Sequence, residues 1–213
     1  MTMSDRRPQT DEAPFDLAFR QAQTVGDGPR IEALADETLG NEVRALVERT
    51  RAAVGAPPMT EVPEYTRLLA KHPEIFRCNM ELGTALFRGF ISPQERELAV
   101  LRIAWLCRAP YEWGEHVAIA RRFGVSADEI ERTTRGSSDL AWNDHEAAIL
   151  RGTEELIADH ALSDETYAVL AAAWSEPQLI EYLVIVGQYV ATAMLQNSLR
   201  VRLANGNPGL SRR

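Results

Sequence analysis

The chain of 213 residues has about the size of one domain, and its 45% hydrophobic and 25% charged residues are typical of an ordinary globular protein. Its formal net charge of −8 argues against nucleic acid and anionic membrane surfaces as partners. Because the sequence has neither a run of about 18 apolar residues nor an apolar secretion signal at its start, we expect a cytoplasmic protein without a membrane span.

The N-terminal quarter of the chain divides into a polar segment and a first helix. Residues 1–28 carry Pro, Gly and scattered charge with little apolar periodicity, so they are expected to form a flexible arm, disordered or ordered only by a partner subunit. Residues 29–213 are predicted to form a single helical domain. Its first helix should run from about Ile31 to Ala53 and end before the Pro57-Pro58 pair.

Further helix starts are marked by capping boxes, in which a polar N-cap residue is followed three positions later by Glu or Gln. The pairs are Ser92 with Glu95, Ser126 with Glu129, Asn143 with Glu146, and Ser175 with Gln178. The sequence contains no Asn-Gly hairpin turn between alternating segments. These patterns predict an all-α fold.

The last long helix, residues 177–203, is apolar around most of its circumference. A helix of this kind is buried inside a domain or against another subunit, so we expect a homo-oligomer whose interface involves this helix. Its beginning, Pro177-Gln178, faintly resembles that of the helix starting at Pro93-Gln94. Shared helix-start chemistry explains this likeness best; otherwise the domain consists of two similar helical halves.

Two acids and a histidine interrupt the otherwise apolar segment 97–125. Pro110 should end one helix and begin the next, which places Glu112 and His116 four residues apart on one face. A carboxylate beside an imidazole raises the imidazole pKa and fixes its tautomer, as a general acid or base near neutral pH requires. Glu97 lies among apolar residues on the preceding helix, where a buried carboxylate would need a partner or a proton.

The same spacing also has a structural explanation. A Glu and a His four residues apart most often form a solvated surface pair, and Glu97 could lie on the outward face of an amphipathic helix. The spacing by itself therefore leaves both the catalytic and the structural interpretation open.

The runs Arg96-Glu97-Leu98-Ala99-Val100-Leu101-Arg102 and Tyr111-Glu112-Trp113-Gly114-Glu115-His116 resemble the core signature of the carboxymuconolactone decarboxylase family, which includes the alkylhydroperoxidase D proteins. The resemblance is specific over residues 64–124 and extends more loosely to 186–189. It implies an all-helical, oligomeric, alkylhydroperoxidase D-like bundle.

Alkylhydroperoxidase D proteins have a Glu, then a CxxC pair, then a His separated from the second Cys by three residues. On this chain the Glu and the His correspond to Glu97 and His116, whereas the two Cys positions hold Ala109 and Glu112. Without the thiol pair, the disulfide-forming peroxidase cycle is absent. The sequence is more similar to the decarboxylase branch of the family, which also lacks the pair.

The resemblance implies a cofactor-free enzyme that acts by proton transfer on a small lactone or unsaturated carboxylic acid. His116 would donate or shuttle the proton. Glu112 would orient the imidazole of His116 and favour its charged form, and Glu97 would complete the proton relay. Tyr111 and Trp113 would form the wall of the substrate pocket.

Two alternatives remain open at this stage. One is an alkylhydroperoxidase-type antioxidant protein that uses Cys107, and the other is a non-catalytic oligomeric scaffold. A metal site is not expected, since Glu112 and His116 could supply two ligands but a tetrahedral site needs three or four.

Overall fold

The computed structural model describes residues 16–53, 55–56, 59–203 and 206–213, and the regular structure in these ranges is entirely helical. The prediction of an all-α fold is therefore confirmed. The helices are α1 (Leu17–Val25), α2 (Asn41–Ala53), α3 (Glu64–Leu69), α4 (Pro73–Phe87), α5 (Pro93–Leu106), α6 (Pro110–Arg122), α7 (Ala127–Arg135), α8 (Asp144–Ala158), α9 (Asp164–Ala173) and α10 (Glu176–Leu199).

The predicted capping boxes are present and fix where the helices begin. At the start of α5, the Ser92 hydroxyl accepts from the Glu95 amide while the Glu95 carboxylate accepts from the Ser92 amide. The same reciprocal arrangement opens α7, α8 and α10. Because each box satisfies amides that have no partner within the helix, the start can be read from a four-residue pattern.

The segment before α2 differs from the prediction of a helix beginning near Ile31. Between residue 31 and the start of α2, the only regular structure is a short 3-10 turn, Asp36–Thr38. Contacts to α3 and to the residue Val62 just before it hold this segment in a mainly extended form. Arg67 Nη1 donates to the Leu34 carbonyl (2.7 Å), and Asp36 accepts from the Val62 amide (2.8 Å).

Part of the predicted N-terminal arm is also helical. Residues 1–15 lie outside the described ranges, but α1 packs against α10 and the C-terminal turn, where Gln21 accepts from the Leu210 amide (2.9 Å). The structure thus differs from the predicted flexible arm over Leu17–Val25, where the chain's own C-terminal segment supplies the contacts.

The core is built around α5, which packs against α6, α7, α8 and α10. Residues 96–104 of α5 are buried, so this helix is enclosed on all sides. It separates two apolar clusters. One lies towards α8, α9 and α10 and contains Ile149 and Ile185, and the other lies towards α6 and α7 and contains Trp113 and Ile130.

The long helix α10 has two different faces. One face is buried against α5, but an apolar stripe on the other is exposed to solvent and comprises Ile180, Leu183, Val184 and Met194. Among the described helices, α10 alone has the length and composition that could cross a membrane. Such length and composition also fit a core helix, and part of its most apolar stretch is buried in this fold.

Candidate active site

The connection between α5 and α6 brings Glu97 and His116 together. Arg108 adopts a left-handed conformation (φ 51°), and Pro110 then begins α6 as its first residue. The chain thereby turns within three residues, and His116 Nδ1 donates to Glu97 Oε2 at 2.7 Å. The two residues converge as predicted, although they are 19 positions apart.

A second carboxylate lies at the other ring nitrogen of His116. Glu112 is one turn earlier on α6, and its Oε1 is 3.3 Å from His116 Nε2. All three side chains are almost completely buried, with Glu97 0%, Glu112 3% and His116 6% exposed. These residues therefore do not form the solvated surface pair that the spacing also allowed.

This arrangement determines the charge of the imidazole. Burial by itself would lower the pKa of His116, but the nearby carboxylates of Glu97 and Glu112 outweigh it and raise the pKa to about 10. At neutral pH, His116 is therefore an imidazolium with one N–H directed at each carboxylate. It begins as a proton donor and not as a base.

Arg96, which the sequence analysis did not assign to the site, supplies a second buried cation. Its Nε donates to Glu97 Oε1 (3.1 Å), and its Nη1 donates to the Phe87 carbonyl (3.2 Å). The guanidinium also lies over the Phe87 ring, 4.1 Å from the ring centre. Two cations and two carboxylates thus balance in this buried cluster of Arg96, Glu97, Glu112 and His116, which we call the charged cluster.

A cavity of about 220 Å³ opens onto Glu112 and His116. We call it the inner cavity. Its other walls come from α3, α4 and α10, including Tyr65, Leu86, Tyr189, Thr192 and Gln196. The edge of the Tyr189 ring meets the His116 ring, with centres 5.0 Å apart.

Two buried polar atoms in this wall, the Tyr65 hydroxyl oxygen and Gln196 Oε1, have no hydrogen-bond partner among the described residues. Gln196 is 3% exposed, and its Oε1 makes no hydrogen bond with any described residue. A buried carbonyl oxygen of this kind costs free energy unless a donor satisfies it, so it marks a place where a ligand or a water donates. The spacing of Tyr189, Thr192 and Gln196 on an otherwise apolar helix could have indicated this wall from sequence.

The two aromatic residues predicted as pocket wall have different positions. Tyr111 lines the inner cavity. Trp113 does not: it is fully buried in the cluster between α5, α6 and α7, and its Nε1 donates to the Arg212 carbonyl (2.8 Å). The prediction for Trp113 is wrong because each helical residue turns by about 100°, which directs the neighbour of Glu112 away from the cavity.

Cys107 is poorly suited to thiol chemistry. It lies at the end of α5, where burial and the negative charge of Glu112 raise the pKa of its thiol to about 11. A reactive thiol needs a depressed pKa and exposure. Cys78 is exposed on α4 and is not among the residues that line the inner cavity.

No group of three or more His, Cys, Asp or Glu side chains in the described residues could hold a metal ion. Around His116 the two carboxylates face opposite ring nitrogens and do not converge on one point. The arrangement supports proton transfer by the protein's own side chains.

The comparisons with known proteins agree with this architecture. Residues 73–155, from the start of α4 into α8, match the model of the carboxymuconolactone decarboxylase family. No curated protein matches the sequence.

Several solved structures share the fold at low sequence identity. An uncharacterized peroxidase-related protein with an alkylhydroperoxidase AhpD core, from Ralstonia eutropha JMP134, superposes with a TM-score of 0.69 and 17% identity over 83% of this chain and 93% of that chain. A peroxidase-related protein from Silicibacter sp. TM1040 gives 0.68 and 14% over 84% and 95%. The debrominase Bmp8 gives 0.66 and 15% over 82% and 92%. Residues 73–155 thus resemble the carboxymuconolactone decarboxylase family, and the chain has the helical fold of the alkylhydroperoxidase D-like structures.

Proposed function

We propose that the protein is a cofactor-free acid/base enzyme, resembling carboxymuconolactone decarboxylase, that acts on a small lactone or unsaturated carboxylic acid. The observation that carries the proposal is the His116 imidazolium, held between two buried carboxylates at the wall of a cavity. A charged acid is kept there in one orientation, in a place that a small molecule can reach.

The proton that is transferred is the one on His116 Nε2. The Nδ1 proton is held by Glu97, which is completely buried and is itself fixed by Arg96. His116 and Glu112 both line the cavity, so the Nε2 proton beside Glu112 can pass to a substrate carbon while Glu97 holds the ring through Nδ1. The neutral imidazole that remains keeps its Nδ1 proton and is recharged from solvent.

In a lyase reaction, loss of carbon dioxide from the substrate leaves a dienolate, and His116 would protonate its carbon. General acid catalysis of this kind contributes about 10²–10⁴-fold, and charge stabilisation of the dienolate by the imidazolium adds to it. The bond to the carboxylate breaks with release of carbon dioxide, and the proton that replaces it comes from His116 and in turn from solvent, so no redox partner is needed.

The experiment is a screen of lactones and unsaturated acids with the wild-type protein, followed by variants on whichever compound turns over. His116→Gln should lose at least about a hundredfold in turnover, and Glu112→Gln should lose less because its amide still hydrogen-bonds the ring. The matched control is His145→Gln, which alters a histidine outside the cavity. Full activity of His116→Gln would overturn the proposal.

The thiol-dependent alternative makes the opposite prediction. If Cys107 were the reacting group, Cys107→Ser would abolish activity, whereas the acid/base proposal expects nearly full turnover from this variant. The high pKa of Cys107 favours the second outcome. A non-catalytic scaffold would show no turnover in the screen and equal behaviour of all variants.

We also propose that the chain associates with copies of itself through the exposed apolar stripe of α10. The four exposed residues on the stripe are large and uncharged, so two copies can bury it symmetrically. Light scattering should give a multiple of 23.8 kDa, and Met194→Glu should shift the protein towards the monomer. A wild-type monomer at micromolar concentration would contradict this.

A further inference from the structure

A second cavity, which we call the outer groove, lies beside the inner cavity and has a volume of about 400 Å³. Its walls come from α2, α4 and α6. They are largely apolar at Met80, Phe87 and Ile119, and Arg122 lies at the C-terminal end of α6. Nothing in the proposed proton-transfer step uses this groove.

Three residues line both cavities and show where they meet: Asn79, Gly83 and Glu115. A Cβ added at Gly83 would have no atom within 4 Å, so the wall of α4 is open at this position. A helical residue with a side chain would project into that space. Gly83 therefore leaves a passage between the inner cavity and the outer groove.

The charges along this passage are unequal. Among the described residues, the inner cavity is lined by the acids Glu112 and Glu115 and by the His116 imidazolium, but by no Lys or Arg. The outer groove is lined by Arg51 and Arg122 and shares Glu115 with the inner cavity. Acids outnumber cations by one around the inner cavity and cations outnumber acids by one around the outer groove, so a substrate carboxylate is favoured in the outer groove.

The spacing on α6 sets the length of such a substrate. Glu115, Ile119 and Arg122 follow one another at helical intervals along the face that lines the groove. Arg122 is six positions after His116, which corresponds to about 9 Å along the helix axis.

We propose that the substrate is an elongated amphipathic acid that occupies both cavities. Its reacting end, a lactone or a carbon–carbon double bond, lies at His116, its apolar body lies along Phe87 and Ile119, and a remote carboxylate that takes no part in the reaction is bound by Arg122. This inference rests on the proposed function, because it takes His116 as the reacting end. It adds a specificity-determining arginine and a passage at Gly83.

The test compares the binding of three probes by isothermal titration calorimetry. The first is a straight-chain ten-carbon acid with a double bond near the far end, the second is its methyl ester, and the third is a four-carbon unsaturated acid. The wild-type protein should bind the ten-carbon acid at least about tenfold more tightly than the other two, because only this probe reaches a charge-assisted contact with Arg122.

Two variants locate the binding. Arg122→Gln should weaken the binding of the ten-carbon acid about tenfold and leave the binding of the ester unchanged. Arg121→Gln is the matched control, since it removes the same charge from the neighbouring position on α6, and Arg121 does not line the groove. Gly83→Leu should block the passage and weaken the binding of both long probes without lowering the melting temperature, because its Cβ has no atom within 4 Å and Leu favours a helix more than Gly does.

Equal binding of acid and ester by the wild type, or equal effects of Arg121→Gln and Arg122→Gln, would overturn the inference. The outcome is separable from that of the proposed function. Turnover of a long-chain acid that is insensitive to Arg122→Gln and Gly83→Leu would refute the elongated binding mode alone. The expected binding pattern without turnover of any compound would refute the proposed chemistry and leave the binding mode intact.

Discussion

The molecule contains two contacts between a histidine and a glutamate that are almost equally short but differ in their surroundings. His116 Nδ1 lies 2.7 Å from Glu97, and His145 Nε2 lies 2.9 Å from Glu95. Both side chains of the first pair are buried, and a second carboxylate and Arg96 complete the charged cluster. In the second pair, about a quarter of each side chain is exposed, and Glu95 also caps α5.

The difference shows that the contact itself does not define a reactive site. His145 has one carboxylate, its ring rests against the Trp174 edge, and its Nδ1 has no partner among the described residues. His116 has a carboxylate at each ring nitrogen inside a low-dielectric interior, where charges interact most strongly. Burial and the number of carboxylates, and not the distance, make His116 a permanent cation at neutral pH.

The largest expected effect concerns Arg96. Replacing it with Met keeps the volume but removes one of the two cations that balance Glu97 and Glu112, so unfolding free energy should fall by about 3 kcal/mol. Urea denaturation measures this loss. The double variant Arg96→Met/Glu97→Gln should recover much of it, because the unbalanced charge is then absent. A single-variant loss below about 1 kcal/mol would show that the cluster is solvated.

The pH dependence of the unfolding free energy should reveal the raised pKa of His116. The folded state holds the His116 proton up to about pH 10, whereas an unfolded histidine loses its proton near 6.5. The stabilisation from His116 is therefore complete below pH 6.5 and is lost as the pH rises to 10, an effect on the order of a few kcal/mol.

Denaturation curves between pH 6 and 10 for wild type and His116→Gln measure this dependence, and the slope for His116→Gln should be much flatter. His116→Gln should also be less stable at pH 7, because a neutral side chain leaves the two buried carboxylates short of a cation. Equal slopes in the two proteins would rule out a raised pKa at His116.

A smaller effect is expected in the reaction rates of the two cysteine thiols, because the negative charge of Glu112 in the charged cluster acts on Cys107. With its pKa near 11, Cys107 should react with iodoacetamide at pH 8 roughly a hundredfold more slowly than an ordinary exposed thiol. Exposed Cys78 is the internal standard, and mass spectrometry distinguishes the two peptides. Glu112→Gln should accelerate the reaction of Cys107 but not that of Cys78, since it removes a negative charge that destabilises the Cys107 thiolate.

The smallest effect should come from the half-buried pair of His145 and Glu95. His145→Gln should change unfolding free energy by less than about 1 kcal/mol, because water reaches about a quarter of each side chain and screens the pair. It should leave turnover unchanged. A loss comparable to that of Arg96→Met would mean that exposure is a poor guide to the strength of these contacts.

The sequence predicted those features that depend on neighbouring residues. Ser92 with Glu95 and the similar boxes mark helix starts, and Pro110 marks the turn that brings Glu97 to His116. The sequence did not predict the extended segment before α2, because the segment is held by residues distant in sequence, such as Arg67 on α3.

The site was predicted only in part for the same reason. The positions of Glu112 and His116 follow from helical periodicity. The role of Arg96 depends on how α5 packs against Phe87, and the orphaned carbonyl of Gln196 depends on how α10 crosses the cavity. The prediction for Trp113 failed because the sequence does not show which face of α6 lines the cavity until the neighbouring helices are known.

The short turn at Arg108 has a consequence for protein engineering. Because the consecutive helices α5 and α6 carry Glu97, Glu112 and His116, the charged cluster can be kept intact while the surrounding helices are redesigned. The groove wall on α2 and α4 comes from residues outside this pair. Under the proposed function, libraries limited to positions such as Met80 and Gly83 would therefore explore new substrates without altering His116.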